Sequence, residues 1–294
     1  MSFKSNWWQL YDEKVVRLSE QRIKLFSSYH VVKDFLNQYK WDRWSMIRKM
    51  KLDGLSNQEI DLFVMMVSHN LIRGNPNILA LYGNDVKGGL QSRCCDINLT
   101  SRTVNNVPRE PKKFRELLKN LPKNGENLFD VVVSTLFSYN PRELEDGAVN
   151  MREYMFNIMA TFSRLKRGGS AIIRLSIPNT NTLMSMIVGL NQRFQKVDLV
   201  RMEFGSPVSM KMYAICQDYH KPCPESTFNE YISRVSDIDR GQIYDDYTID
   251  QHLSNEQKHR ILEMLTTLTL AISNITRKQR IPHDECYASQ ILAN

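Results

Sequence analysis

A glycine-rich segment that follows a short apolar run has the residue types needed to bind a ligand. Residues 78–82 are apolar and bounded by turn residues, which predicts a strand, and residues 83–89 then supply three glycines. Glycine lets the backbone approach a ligand closely, as nucleotide-type cofactors require. A second short strand is predicted over residues 92–97, where Asp96 could accept hydrogen bonds from the hydroxyls of a ribose.

A mixture of aromatic and cationic residues near the N-terminus points to a different chemistry. The cations of the segments at residues 40–44 and 47–51 alternate with tryptophans and apolar residues. On a helix, this mixture can cover apolar surface with side-chain stems while the charges face a phosphate backbone. The expected nucleic-acid contacts are Lys40, Arg43, Arg48 and Lys49. The alternative is an amphipathic helix that packs on the main domain.

The cysteines and histidines do not form a recognisable metal motif. Cys216, His220 and Cys223 are close in sequence and His283 could join them, but the spacing lacks a matching second half. The five cysteines make no CxxC pair. We therefore expect reduced thiols and no metal site.

Composition and charge narrow the class of protein. The chain has 294 residues, 42% of them hydrophobic and 24% charged, enough for one large core or two modest ones. Its net charge of +7 and pI of about 9.1 favour an anionic partner, with nucleic acid as the leading class. The sequence has no long apolar stretch and no secretory signal pattern. We expect a soluble, cytoplasmic protein that does not bind membranes.

The elements that must position these residues follow from periodicity. Apolar residues three and four positions apart predict helices over much of residues 1–73, and Ser56 with Glu59 predicts a capped helix start. Residues 127–134 form a β-branched apolar run typical of a buried parallel strand. A helix is predicted over residues 151–165 with a glycine C-cap at residues 166–169, then a strand at 170–175 and a helix at 182–194. Two strands at 197–204 and 210–216 complete the series.

This order predicts an α/β fold with an open, doubly wound sheet that ends in an antiparallel edge hairpin. We divide the chain into a helical N-terminal segment (1–73), a Rossmann-like domain (74–222) and a mostly helical C-terminal appendage (223–294). The clearest helix of the appendage is predicted over residues 254–275.

The segments FDVVVS, LKRGGSAIIRL and SMKMYAIC, in this order and with intervening helices, resemble the second half of S-adenosylmethionine-dependent methyltransferases. More narrowly, they resemble the FtsJ-like ribose 2'-O-methyltransferases, which include the cap-modifying enzymes of viruses. The resemblance implies S-adenosylmethionine as the cofactor, held by the glycine loop and the acidic second strand. The residues implied are Gly83, Asp85, Gly88, Gly89 and Asp96.

The resemblance also implies a Lys-Asp-Lys-Glu set, in which a lysine helps to remove the ribose proton. In this sequence Thr135 stands in place of the aspartate, Arg174 in place of the second lysine and Lys211 in place of the glutamate, although Glu203 is near. The first lysine has no assigned position; Lys24, Lys33 and Lys40 are candidates. Arginine stays protonated and threonine carries no charge, so we expect no ordinary ribose methylation.

Three functions remain open at this point. The first is a non-catalytic RNA-binding or stimulatory subunit of the mRNA-capping type that works with a catalytic partner, in which Arg174 and Lys211 would bind phosphates. The small stimulatory subunit of the poxvirus capping machinery is similar in length, strand order and helical tail. The second is an active RNA or cap methyltransferase, because guanine N7 needs no general base. The third is a protein-interaction scaffold.

Overall fold

The computed structural model describes residues 6–27, 55–82, 98–123, 128–136, 147–178, 180–201, 209–235 and 252–277. Their helices are α1 (Asn6–Ser27), α2 (Asn57–Ser68), α3 (Pro111–Lys119), α4 (Gly147–Arg164), α5 (Asn181–Asn191), α6 (Glu225–Ser233) and α7 (Asn255–Thr276). Their strands are β1 (Asn77–Tyr82), β2 (Asn98–Thr103), β3 (Phe129–Ser134), β4 (Leu165–Ser176), β5 (Phe194–Val200) and β6 (Lys211–Tyr219).

The six strands form one mixed sheet in the order β2-β1-β3-β4-β6-β5. Strands β1 to β4 pair in parallel, whereas β6 is antiparallel to both β4 and β5. A single reversed strand next to the edge is the pattern of a Rossmann-like methyltransferase sheet with an antiparallel edge hairpin. The fold predicted from the sequence is confirmed.

Both faces of the sheet are covered, which explains the continuous apolar runs of the central strands. In β3, Val132 faces one core while Val131 and Val133 face the other. Helices α3, α4 and α5 pack on the first face, and α2 packs on the second through Ile60, Met65 and other apolar residues. Helix α1 packs against α7, where Trp7 Nε1 donates to the carbonyl of Lys258 at 3.1 Å.

One element prediction stays untested and another needs correction. The strand predicted over residues 92–97 lies outside the described residues, and the described strand beside β1 is β2, Asn98–Thr103. Helix α4 ends at Arg164, and residues 166–169 belong to a register shift in β4 instead of a helix cap. Gly168 has φ +77°, and a Cβ on Gly169 would lie 2.7 Å from the carbonyl oxygen of Asp130, so this shift requires glycine.

The predicted helix starts agree with the structure. Ser56 and Glu59 form a capping box at the start of α2, and Ser254 with Gln257 forms another at the start of α7. The predicted boundaries at residues 73/74 and 222/223 stay a prediction. No helix among the described residues is long and apolar enough to cross a membrane.

Candidate functional site

The three positions expected to replace a catalytic set meet at the carboxyl edge of the sheet. Thr135 directly follows β3, and Arg174 lies near the end of β4. Because β6 runs in the opposite direction, its first residue, Lys211, reaches the same edge and pairs with Ser176 of β4. Open α/β sheets bind their ligands at this edge.

A buried glutamine from α2 joins Thr135 to Arg174. Arg174 Nη1 donates to Gln58 Oε1 at 3.0 Å, and Gln58 Nε2 donates to Thr135 Oγ1 at 2.7 Å and to the Thr135 carbonyl at 3.3 Å. Gln58 and Arg174 are each 6% exposed, and Thr135 is fully buried. The position expected for a catalytic aspartate is therefore held in a network of a neutral amide, a hydroxyl and a guanidinium.

A second residue of α2, Asp61, binds Lys211. Its Oδ2 forms an ion pair with Lys211 Nζ and accepts a hydrogen bond from Tyr213 Oη at 3.2 Å. The Lys211 ammonium also lies 5.3 Å from the centroid of the Tyr213 ring. Asp61 is fully buried, while the Lys211 side chain is 10% exposed. Asp61 Oδ1 is buried and has no hydrogen-bond partner among the described residues.

The polar residues of α2 are placed by the apolar side of the same helix. The capping box at Ser56 sets where α2 begins, and its buried apolar residues fix it on the sheet. Gln58 and Asp61 are three positions apart and therefore share one side of the helix. Sequence reasoning missed both, since a polar pair near a helix start looks like part of a solvated surface.

On the opposite side of the sheet, Asn157 of α4 organises the backbone at the end of β3. Its Oδ1 accepts from Ser134 Oγ and from the Leu136 backbone N–H, each at 3.0 Å. Its Nδ2 donates to the carbonyls of Leu136 at 3.2 Å and Arg174 at 3.1 Å. Asn157 is fully buried, so these four bonds satisfy polar groups that water does not reach.

The remaining predicted contacts lie outside the described residues. These are the cofactor residues Gly83, Asp85, Gly88, Gly89 and Asp96, and the cations Lys40, Arg43, Arg48 and Lys49. They stay predictions. Among the candidates for the first lysine, Lys33 and Lys40 also lie outside, and Lys24 belongs to α1 but its side chain is not described.

Arg174 and Lys211 were expected to bind RNA phosphates, and this expectation stays untested. Each cation is nearly buried and engaged by a side chain of α2. RNA would therefore have to compete with Gln58 for Arg174 and with Asp61 for Lys211.

A groove of about 820 Å³ lies beside the edge strand β5, between the end of α2 and the start of α7. Helix α7 covers part of that edge, since Gln257 Nε2 donates to the Val197 carbonyl at 2.9 Å and Arg260 Nε donates to the Leu199 carbonyl at 3.3 Å. His69 Nε2 lies 3.9 Å from Asp198 in the groove wall. The covered carbonyls make this edge a poor template for another strand.

The described residues contain no group of three or more histidine, cysteine or acidic side chains that could hold a metal. Cys216 is fully buried, and burial raises the pKa of its thiol well above the usual value. Burial also raises the pKa of Cys223. Both thiols therefore stay protonated near neutral pH.

Comparisons with solved structures give likenesses at low sequence identity. A ribosomal RNA methyltransferase from Plasmodium falciparum is 14% identical with a TM-score of 0.38, over 56% of this chain and 97% of that one. Human methyltransferase-like protein 13 in complex with SAH is 13% identical with a TM-score of 0.30, over 65% and 95%. An O-methyltransferase family protein from Burkholderia thailandensis is 10% identical with a TM-score of 0.31, over 70% and 72%.

No family model and no curated protein matches the sequence. The fold assignment therefore rests on the order and direction of the six strands.

Proposed function

We propose that this protein is a methyltransferase-fold component of RNA processing, of the mRNA-capping type, that does not itself methylate ribose. It binds RNA or supports a catalytic partner subunit. The observation that carries the proposal is the ion pair between Lys211 and buried Asp61 at the carboxyl edge. In the ribose methyltransferases that the sequence resembles, this edge holds the catalytic set.

The chemistry of ribose methylation requires a group that assists removal of a hydroxyl proton. Arg174 stays protonated under physiological conditions, and the Thr135 hydroxyl is already hydrogen bonded to Gln58. The Lys211 ammonium is held by the Asp61 carboxylate. None of the three groups is arranged to receive a proton from a substrate hydroxyl.

The charges at this edge have a structural use instead. The cation lies on the sheet, the carboxylate lies on α2, and their pairing holds α2 over the strand ends. A ribose hydroxyl would have to compete with the Asp61 carboxylate for Lys211. These contacts support a structural role for the polar residues at this edge and no catalytic role.

Three measurements test the proposal, the last of them binding of the full chain to labelled single-stranded RNA at low salt. The first is calorimetric titration of the full chain with S-adenosylmethionine and S-adenosylhomocysteine. The second is methyl transfer from radiolabelled S-adenosylmethionine to unmethylated capped RNA, with nuclease digestion to separate ribose 2'-O-methyl from N7-methyl products. The matched control is the double variant Asp61→Asn/Lys211→Met, in which activity from a contaminating enzyme would persist.

We expect no ribose 2'-O-methyl product. A ribose product that the wild type makes and the double variant does not would overturn the proposal. Cofactor binding together with an N7-methyl product would establish the active-enzyme alternative, for which no base is needed. No RNA binding at low salt would remove the RNA part of the proposal and leave the scaffold function.

A further inference from the structure

Most of the excess positive charge of the chain falls in one short stretch. Residues 102–123 contain seven lysines and arginines and two glutamates, a net charge of +5 out of the +7 of the whole chain. This stretch connects β2 to β3 and contains α3. A concentration of one sign of charge on a surface attracts polyanions and speeds their association.

The structure shows how the charges of α3 are presented. Phe114 and Leu118 are buried in the core, which orients the helix. Lys112, Arg115 and Lys119, at positions i, i+3 and i+7, therefore share the side that faces away from the core. Lys112 and Lys119 are exposed and Arg115 is half-buried; Lys123, just beyond the helix, is also exposed. We name these four residues the α3 basic face.

Side-chain hydrogen bonds from α4 hold the segment that carries the α3 basic face. The Arg164 guanidinium, at the end of α4, donates to the carbonyls of Leu118 at 2.7 Å, Lys119 at 3.0 Å, Pro122 at 3.1 Å and Leu121 at 3.3 Å. Before the helix, Arg152 Nη1 donates to the Val107 carbonyl at 2.9 Å. These bonds fix both ends of the segment, so a ligand would meet a preformed surface and lose little binding energy to ordering it.

The cations of the α3 basic face share the outward side of the helix with one exposed carboxylate, that of Glu116, four positions after Lys112. Within the described ranges, no carboxylate forms an ion pair with Lys112, Arg115, Lys119 or Lys123. By contrast, three lysines of the sheet form ion pairs: Lys166 with Asp130, Lys196 with Asp198 and Lys211 with Asp61. Within the described residues of this stretch, Lys113 pairs with Glu110 at 2.7 Å on the helix flank. The four charges therefore remain available to an external anion.

We propose that the α3 basic face binds the phosphate backbone of RNA. The proposal rests on the RNA-binding function proposed above and names the surface that performs it. Helix α3 follows the carboxyl end of β2, and its last turn lies against Arg164, which directly precedes the amino end of β4. Helix α3 therefore runs from the carboxyl edge toward the amino edge of the sheet, and RNA bound along it would extend toward the ligand-binding edge.

The experiment compares two triple variants of the full chain that carry the same net charge. The first, Lys112→Gln/Arg115→Gln/Lys119→Gln, removes three cations of the α3 basic face. The second, Arg17→Gln/Arg73→Gln/Lys221→Gln, removes three exposed cations on other surfaces. Binding to a fluorescein-labelled single-stranded RNA of mixed sequence is followed by anisotropy over a series of salt concentrations. Circular dichroism and the thermal midpoint verify that each variant is folded.

Each phosphate contact on a single strand contributes about 0.7 to the slope of log K against log salt. Loss of three contacts should reduce that slope by about 2 and weaken binding about 50-fold near 0.15 M salt. We expect this loss of affinity in the variant of the α3 basic face. The affinity of the control variant should change by less than about threefold, because it has the same lower net charge but keeps the α3 basic face.

Equal affinities of the two variants would overturn the α3 basic face as the RNA surface, while the RNA-binding function would survive. A wild-type protein that binds no RNA at low salt would overturn both. A second measurement avoids substitution: RNA should protect Lys112 and Lys119, but not Lys221, from acetylation detected by mass spectrometry. Unprotected Lys112 and Lys119 in an RNA-bound sample would also overturn the inference.

Discussion

The ion pair between Asp61 and Lys211 makes a quantitative prediction about the stability of this fold. In Lys211→Met, the fully buried Asp61 carboxylate would keep the hydrogen bond from Tyr213 but lose its cation. Removing one partner of a buried pair costs about 3–5 kcal/mol, because the other charge is left without compensation. We expect a loss near the lower end, about 3 kcal/mol, since Lys211 itself keeps 10% exposure at the sheet edge.

Replacing both partners should cost less than replacing the lysine alone. In Asp61→Leu/Lys211→Met, no charge remains buried, and side chains of similar volume fill the space. We expect the double variant to recover about 2 kcal/mol of the loss. Lys196→Met is the matched control, because its partner Asp198 is 2.8 Å away but the Lys196 side chain is 61% exposed. An exposed pair contributes about 0–1 kcal/mol.

Urea unfolding followed by tryptophan fluorescence measures these differences. At a slope of about 3 kcal/mol per molar urea, a loss of 3 kcal/mol lowers the midpoint by about 1 M. A midpoint for Lys211→Met no lower than that of Lys196→Met would refute the assignment of Asp61 and Lys211 as a buried structural pair. A double variant less stable than Lys211→Met would refute the argument from uncompensated charge.

Three further predictions concern other parts of the fold. Asn157→Ala should lower the free energy of unfolding by about 3 kcal/mol, because four buried groups lose their hydrogen-bond partner. A loss below about 1 kcal/mol in urea titration would contradict this prediction. Gly169→Ala should destabilise the protein by more than about 2 kcal/mol, because the new Cβ would lie 2.7 Å from the Asp130 carbonyl oxygen. The control is Gly189→Ala in α5, where the nearest atom is 3.6 Å away and the change should be neutral or stabilising by about 0.5–1 kcal/mol. Equal thermal midpoints of the two variants would contradict this prediction. Burial lowers the pKa of His69 below the value of about 6.5 that is ordinary for histidine, so the unfolded chain binds the proton more readily. The free energy of unfolding that His69 contributes above about pH 6.5 is therefore lost as the pH falls. In urea titrations between about pH 7.5 and pH 5, His69→Gln should lose less stability than the wild type. The same pH dependence in both proteins would contradict this prediction.

The position of Thr135 and Arg174 at one edge could be predicted from the sequence. The β-branched run before Thr135 and the apolar strand that contains Arg174 both predict parallel strands, and parallel strands end at the same edge. The turn between β5 and β6 predicts a reversed strand, which brings Lys211 to that edge as well.

The partners of these residues could not be predicted. Gln58 and Asp61 lie 77 and 150 positions in sequence from Thr135 and Lys211, to which they bind. Which polar side chains of α2 face the strand ends depends on how the helix docks on the sheet, and the docking depends on packing contacts spread over many strands. A capping box predicts where a helix begins but not which surface it meets.

In the basic stretch at residues 102–123, too, some features could be predicted from the sequence and others could not. Its net charge is a property of composition, visible without any structure. Its presentation on one side of α3, with Phe114 and Leu118 turned to the core, follows from local helical period. The attachment of that helix by Arg164 joins residues more than 40 positions apart, and no local pattern indicates it.

Local interactions thus determined the elements of this protein: apolar periodicity, capping residues and β-branched runs specify helices and strands over a few residues each. Long-range packing determined the chemistry of the carboxyl edge. The sequence places a threonine, an arginine and a lysine there, but only the docked α2 adds the amide and the carboxylate that engage them. The physical reason is that a buried charge is stable only beside its partner, and the fold brings that partner from a distant part of the chain.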